Sequence, residues 1–192
     1  MYKNFVKSIL DRILAFLVLC LCVPFFIVIS ILVKATSKGP VFFTQERLGK
    51  NAKVFKLYKF RTMSHKEREV DREIFSGDPE VTKIGVILRR YKIDEMPQLL
   101  NVLFGNMAIV GPRPSMPELQ KSFNEDGAYR IKVLPGLTGL AQINGNIYLS
   151  WPKRWEYDRH YAENLSFVLD MKIIFKTFAI LIYGEEKFKE HE

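Results

Sequence analysis

Between Ile13 and Val33 the chain reads ILAFLVLCLCVPFFIVISILV, 21 residues without a charge. As a straight helix this run is about 31 Å long, close to the hydrocarbon thickness of a bilayer. A helix apolar on every face has to be wrapped by protein or by lipid, and contact with lipid is expected here. The run is too long for the apolar region of a secretory signal and no small-residue cleavage site follows it, so it should persist in the mature protein.

Pro24 stands near the centre of the run. It supplies no N–H and its ring collides with the carbonyl of Cys20, so a kink or a break is expected there. Lys3, Lys7 and Arg12 precede the run, and Lys34, Lys38, Arg47 and Lys50 follow it. The positive-inside rule makes both ends cytoplasmic. Two forms are open: a kinked helix that crosses the bilayer, and a helix-break-helix that enters and leaves one leaflet, each leg of about 11 residues reaching about 17 Å.

With 192 residues and 48% hydrophobic content, the chain can build one domain with a real core, which excludes a disordered tail or a collagen-like repeat. The formal charge of +8 and a pI near 9.4 point to phosphate as a partner, in nucleic acid, in lipid headgroups or on a small substrate. Cys20 and Cys22, the only cysteines, lie in the apolar run. They offer neither a disulfide framework nor a zinc motif and fit a reducing compartment.

After Lys38-Gly39-Pro40, VFFTQER and KVFKLYKFRTM flank LGKNA, and their β-branched and aromatic residues predict a β-hairpin. Residues 64–82 are polar and predict a solvated helix followed by a loop. Met96, Leu99, Leu100 and Leu103 recur at helical spacing up to Gly105, with Asp94 at or just before the helix start and Pro97 tolerated in its first turn. Near the C-terminus, NLSFVLDMKIIFKTFAILIYG predicts a helix stopped by Gly184. Lys172 and Lys176 share a face of it. The helix is either buried with a thin polar edge or lies in the membrane interface with its lysines toward headgroups, and the second is preferred beside an apolar anchor.

A glycine-rich phosphate loop ending in Lys-Ser or Lys-Thr, GxGxxG and GxSxG are all missing, which removes the main support for the enzyme classes they mark. His65, His160 and His191 lack ligand spacing. The cations and aromatics of KVFKLYKFR could stack bases, but equally describe a strand with one packed and one solvated face. Attention falls on YKIDEMPQ, where Asp94 and Glu95 follow Arg89, Arg90 and Lys92. The two acids could be a helix cap and a first-turn acid, worth about 1 kcal/mol or less each. In a phosphate site they could divide labour, one carboxylate attacking phosphorus and the other holding Mg²⁺. In GPRP, Arg113 sits between two prolines that limit its backbone, which suits either a rigid turn or a pre-positioned guanidinium. The glycines of LPGLTGLAQINGN serve as a connector or bring N–H groups to an anion.

Taken in order, the proline-interrupted apolar run, GPVFFTQERLGKNAKVFKLYKFRTM, IDEMPQLLNVLFGNMAIVGPRP, LPGLTGLAQINGN and YDRHYAENLSFVLDMKII resemble the bacterial sugar transferases known as monotopic phosphoglycosyl transferases. The resemblance covers nearly the whole chain and its length matches the small form of that family. It implies transfer of a phosphosugar from a UDP-sugar to polyprenyl (undecaprenyl) phosphate with release of UMP, at the cytoplasmic face of the bacterial inner membrane. The implied nucleophile is Asp94 and the implied Mg²⁺ ligand Glu95. Arg89 and Arg113 are implied phosphate contacts, with Lys59, Gln98 and Asp158 as weaker candidates. The implied partners are the two substrates and the lipid bilayer, without nucleic acid. The resemblance also favours a re-entrant membrane helix broken at Pro24, although Val23 stands where family members often carry a polar residue. The expected fold is helix-dominated α+β, with that helix over residues 1–38 and a cytoplasmic catalytic domain over 39–192 that carries a small hairpin and interfacial amphipathic helices. A membrane-tethered basic binding module and an ordinary glycosyl transferase releasing UDP are the competing readings.

Overall fold

The computed structural model describes residues 2–64 and 80–184. Most of the polar segment expected at 64–82, together with His65 and His191, lies outside those residues. The fold is helix-dominated with two small sheets. A 30-residue helix, α1 (Lys7–Thr36), leads into an antiparallel hairpin of β1 (Phe42–Leu48) and β2 (Val54–Phe60). The register runs from Phe42 opposite Phe60 to Leu48 opposite Val54, which is the hairpin the sequence predicts. Its turn closes with a 2.8 Å bond from the Gly49 N–H to the Lys53 carbonyl.

Pro24 lies inside α1, and the division into two helices expected there is not found. A proline in a helix interior loses one hydrogen bond and costs about 3 kcal/mol. Ending the helix at that point would orphan several more backbone groups, and the neighbours Cys22, Val23, Phe25 and Phe26 carry no strong side-chain donor or acceptor to replace them.

One face of α1 packs inward along its length. Ala15 joins Leu57, Leu99, Val102 and Met107 in one buried cluster, and Ile29 and Val33 join Phe60 and Leu88 in another. The other faces are apolar and exposed, with Leu21 at 82%. The helix start is pinned by charge: Lys7 Nζ lies 2.7 Å from Asp170 Oδ2 and 3.2 Å from Asp11 Oδ2. The Tyr2 hydroxyl donates to the same Asp170 oxygen at 2.6 Å. Lys7, expected among the cytoplasmic flanking charges, is therefore an internal ion-pair partner, because Asp11 and Asp170 converge on it.

The remaining elements are α2 (Lys83–Arg90), α3 (Gln98–Leu103), β3 (Ala108–Val110), β4 (Gly136–Thr138), α4 (Leu140–Ile143), α5 (Trp151–Asn164) and α6 (Phe167–Tyr183). Strands β3 and β4 pair in parallel, Ala108 opposite Gly136 and Val110 opposite Thr138. A third cluster, built from Val110, Val133, Ile143, Tyr161, Ala162 and Ile173, joins them to α4, α5 and α6.

Helix α6 ends at Gly184, whose φ of 87° and N–H bond to Ile180 make the expected stop. Three of its polar residues face inward while Lys172 stays exposed: Asp170 is buried, Lys176 Nζ donates to Asn144 Oδ1 at 2.6 Å, and the Thr177 hydroxyl meets that of Thr138 at 2.6 Å. Lys176 is thus not turned toward headgroups as expected, because Asn144 supplies it with an acceptor. Val168, Phe175, Phe178 and Ile182 point outward, each at least 60% exposed. An outward face made largely of apolar residues is the reverse of a helix on a water-soluble protein.

Candidate active site

Arg89 and the acidic pair reach the site through α2. Its first turn is capped by Thr82, whose hydroxyl accepts from the Gly85 N–H at 3.0 Å. A Cβ on Gly85 would overlap the Thr62 carbonyl, so the glycine permits the close approach of α2 to that segment. One turn on, Arg89 Nε donates to the Thr62 hydroxyl at 2.9 Å. Lys92 then takes a left-handed conformation, φ 55°, and turns the chain into a single 3-10 turn, Ile93–Glu95. Neither this turn nor α3, whose preceding residue is Pro97, has a side-chain cap. Asp94 and Glu95 are therefore not helix caps.

The two acids have different surroundings. Glu95 Oε1 lies 2.7 Å from both Lys59 Nζ and Arg113 Nη2, and Glu95 Oε2 lies 3.3 Å from Arg113 Nη1. Burial works against its charge, but Arg113 and Lys59 prevail and hold its carboxyl well below the usual range. Asp94 is 7% exposed and makes no hydrogen bond or ion pair among the described residues. Burial pushes its carboxyl up, the charge of Glu95 adds to this, and Lys59, Arg89 and Lys92 oppose it. Neighbouring carboxyls pushed in opposite directions are the arrangement that assigns two acids to two roles.

Lys59 comes from the hairpin. In the antiparallel register Phe43, Gln45 and Arg47 share one sheet face with Lys59, Leu57 and Phe55. Leu57 on that face packs against Leu99 and Val102 of α3, which brings Lys59 over the acidic turn. A narrow cleft beside it is lined by Arg47, Leu57, Lys59, Gln98, Arg113 and Pro114. The structure thus gathers Lys59, Glu95, Gln98 and Arg113 around this cleft, with Asp94 and Arg89 next to it.

Asp158 stands apart. It is 1% exposed on α5, with Oδ2 3.0 Å from Arg130 Nε, and does not line the cleft. Burial raises its carboxyl to about 6 against the pull of Arg130 and Arg154.

Sequence reasoning passed over Asn101, Arg47 and Arg130. Asn101, fully buried, donates to the Lys56 carbonyl at 2.7 Å and accepts from the Tyr58 N–H at 3.1 Å, which fixes α3 to the hairpin. Alternation along TQERL against VFKLYK could have placed Arg47 on the same sheet face as Lys59. No local pattern marks the other two.

Among the described residues no three His, Cys, Asp or Glu side chains converge on one point. The donors that could share a divalent cation are Asp94 and Glu95. Such a pair fits Mg²⁺, which takes one or two carboxylates and completes its shell with water and substrate phosphate.

An acidic pair of unequal partnership, ringed by lysine and arginine, is an arrangement with charge suited to a phosphate-bearing ligand. The chain belongs to the bacterial sugar transferase family, whose profile matches residues 2–184. It is 42% identical over 180 residues to an uncharacterised sugar transferase, EpsL, of Bacillus subtilis strain 168, covering 93% of this chain and 88% of that one. It is 45% identical over 181 residues to the UDP-glucose:undecaprenyl-phosphate glucose-1-phosphate transferase of Klebsiella pneumoniae, covering 89% of this chain and 39% of that longer relative. The exopolysaccharide production protein ExoY of Rhizobium meliloti strain 1021 is 37% identical over 187 residues, covering 89% and 83%.

Proposed function

We propose that the chain moves a phosphosugar from a UDP-sugar to undecaprenyl phosphate, giving undecaprenyl-diphospho-sugar and UMP, through a covalent intermediate on Asp94. The observation that carries the reading is the asymmetry of the acidic pair: Glu95 is neutralised by two cations, while Asp94 forms no ion pair among the described residues. A carboxylate not held by a cation retains its lone pairs for attack on phosphorus. In the first displacement an Asp94 oxygen bonds to the sugar-bearing phosphorus, and the bond from that phosphorus to the bridging oxygen breaks with UMP as leaving group. In the second, an oxygen of undecaprenyl phosphate attacks the same phosphorus and returns the Asp94 carboxylate.

Lys59, Arg89, Lys92 and Arg113 surround the acids with positive charge that suits a diphosphate. Glu95, with Asp94 beside it, would hold Mg²⁺, which supplies charge neutralisation for the diphosphate and its leaving group. Gln98, which lines the cleft, would hydrogen-bond the substrate. The names of relatives support this chemistry, including a UDP-N-acetylgalactosamine-undecaprenyl-phosphate N-acetylgalactosaminephosphotransferase of Aeromonas hydrophila, 34% identical over 187 residues.

The same reading places the chain on the cytoplasmic face of the inner membrane as a monotopic protein. Helix α1 is about 45 Å long, and residues from Lys7 to Val33 along one face meet the same body that carries the acids. A helix crossing the bilayer upright could not keep both ends on one cytoplasmic body. Both ends of α1 therefore belong on one side, with its exposed apolar faces and that of α6 in lipid.

A panel of UDP-sugars with undecaprenyl phosphate and Mg²⁺, read for nucleotide product, tests the reaction. UMP supports phosphosugar transfer; UDP would make the protein an ordinary glycosyl transferase.

A further inference from the structure

Arg113 reaches Glu95 from a loop that is held from several directions. The Gly111 N–H donates to the Thr138 carbonyl at 2.9 Å, the Pro112 carbonyl accepts from the Gly136 N–H at 2.9 Å, and the Ser115 carbonyl accepts from the Leu48 N–H at 2.8 Å. Between these main-chain ties sits the Arg113 carbonyl, and a side chain holds it: Arg130 Nη2 donates to it at 2.7 Å. Pro112 and Pro114 provide no N–H, and a residue before proline has a restricted backbone. The freedom left to Arg113 is the orientation of its peptide plane with Pro114. The carbonyl reports that orientation, so a guanidinium clamped on the carbonyl also fixes the direction in which the Arg113 side chain leaves the loop.

Arg130 is itself constrained. It is 7% exposed, lies over the Phe123 ring at 5.7 Å, and has Asp158 3.0 Å from Nε as an ion pair without hydrogen-bond alignment. Phe123 packs edge-on against Trp155 of α5, the helix that carries Asp158. The pair is poorly built as a stabilising device, since Arg130 Nη1 and Asp158 Oδ1 are buried without a hydrogen-bond partner among the described residues. A buried ion pair with unsatisfied atoms contributes less than an apolar pair of the same volume. What an apolar pair could not provide is a donor aimed at the Arg113 carbonyl.

We propose that Arg130 and Asp158 are positioning residues: Asp158 orients Arg130, Arg130 clamps the Arg113 carbonyl, and the clamp aims the Arg113 guanidinium at Glu95 and the substrate phosphate. Neither member of the pair touches substrate. This assignment rests on the reading of Arg113 as a phosphate contact given above.

The test is a double-mutant cycle on the full-length protein in detergent or lipid, read as kcat and KM for UDP-sugar from nucleotide release, with a thermal melt of each variant. Arg130→Lys keeps the charge beside Asp158 but loses the forked donor to the carbonyl. It is expected to lower kcat/KM about 10- to 100-fold, with the loss in kcat exceeding the rise in KM. In an Arg113→Ala background the same change is expected to have less than about a threefold effect, because the residue it acts through is gone. Asp158→Asn should follow the same pattern with a smaller loss.

Equal losses in both backgrounds, or no loss in the wild-type background, would overturn the proposal. If Arg130→Lys melts below the assay temperature, Asp158→Asn completes the cycle; melting of both would make the pair structural and also overturn it. A UDP product would defeat the proposed reaction but leave the cycle readable, whereas additive losses alongside UMP release would defeat only the positioning role.

Discussion

Asn101 accepts a hydrogen bond from the backbone N–H of Tyr58 at 3.1 Å, a bond between α3 and the middle of β2 in a place closed to water. Its amide nitrogen serves the neighbouring Lys56 carbonyl. Hydrogen bonds from the Asn106 and Met107 N–H groups to the Asn101 carbonyl shape the exit from α3. This residue sets the distance between the strand that carries Lys59 and the turn that carries Glu95.

Asn101→Ala should therefore destabilise the protein by about 3 kcal/mol, because two buried backbone groups lose their partners. For a chain of this size that is a fall in melting temperature of roughly 6–12 °C. Activity measured well below the new midpoint should drop as well, since the Lys59–Glu95 pair is no longer held in register. An unchanged melting temperature would show that water replaces the amide without loss.

Asp94→Asn should reduce turnover at least about 1,000-fold with little change in melting temperature, because an amide does not attack phosphorus and the side chain makes no bond whose loss would unfold the site. Mass spectrometry should accompany the assay to exclude deamidation. Substantial activity in the intact variant would remove Asp94 as nucleophile.

If Asp94 acts first and the acceptor second, labelled UMP should exchange into UDP-sugar without undecaprenyl phosphate in the wild type and not in Asp94→Asn. Reciprocal plots against the two substrates should be parallel. Exchange that strictly requires the lipid, with intersecting plots, would show direct transfer in a ternary complex.

Glu95→Gln should lower both activity and stability, the latter by about 1–2 kcal/mol at neutral pH, because Lys59 and Arg113 lose a partly buried counter-ion. The pH dependence follows from the sign of the shift. Glu95 is held below its unfolded value, so its contribution is complete above the ordinary glutamate range and is lost as pH falls through the lower folded value. Asp94 is shifted upward, so the acid limb of kcat/KM should lie above the ordinary aspartate range. Measuring it in Asp158→Asn removes the contribution of another raised carboxyl.

For topology, single cysteines near Lys3 and near Lys50, in a background without Cys20 and Cys22, should be labelled from the same, cytoplasmic side of the membrane. Labelling from opposite sides would show a full crossing and contradict the monotopic arrangement.

Much of this arrangement was legible in the sequence. The hairpin could be read from two aromatic-rich runs around LGKNA, α6 from its spacing and Gly184, and the acidic pair from its cationic neighbours. The parallel pairing of β3 with β4 was not legible, because three-residue strands are too short to show alternation and their partners lie in separate loops. The inward turn of Lys7, Asp170 and Lys176 was also hidden: in helices apolar on most faces, a charge is assigned to water or headgroups by default, and only tertiary contact shows which face is inside. Arg130 sits in YRIKV without any local signal, since its meaning depends on Arg113 and Asp158, at 17 and 28 positions' distance. Pro24 left a kink and a break both open in the sequence, and one continuous helix runs through it.

The lengthwise packing of α1 bears on how the chain can be assembled. Ala15, Ile29 and Val33 are synthesised before every strand and helix they meet, and two of the three cores stay open until those elements close against them. Excision at residue 38 would leave Leu57, Val102, Phe60 and Leu88 without a cover, so residues 39–192 made alone should be recovered as aggregate. Nor can α1 be exchanged for an unrelated lipid anchor, because its inner stripe is shaped to the body it covers. The helix acts as a template on which translation lays down the rest of the protein.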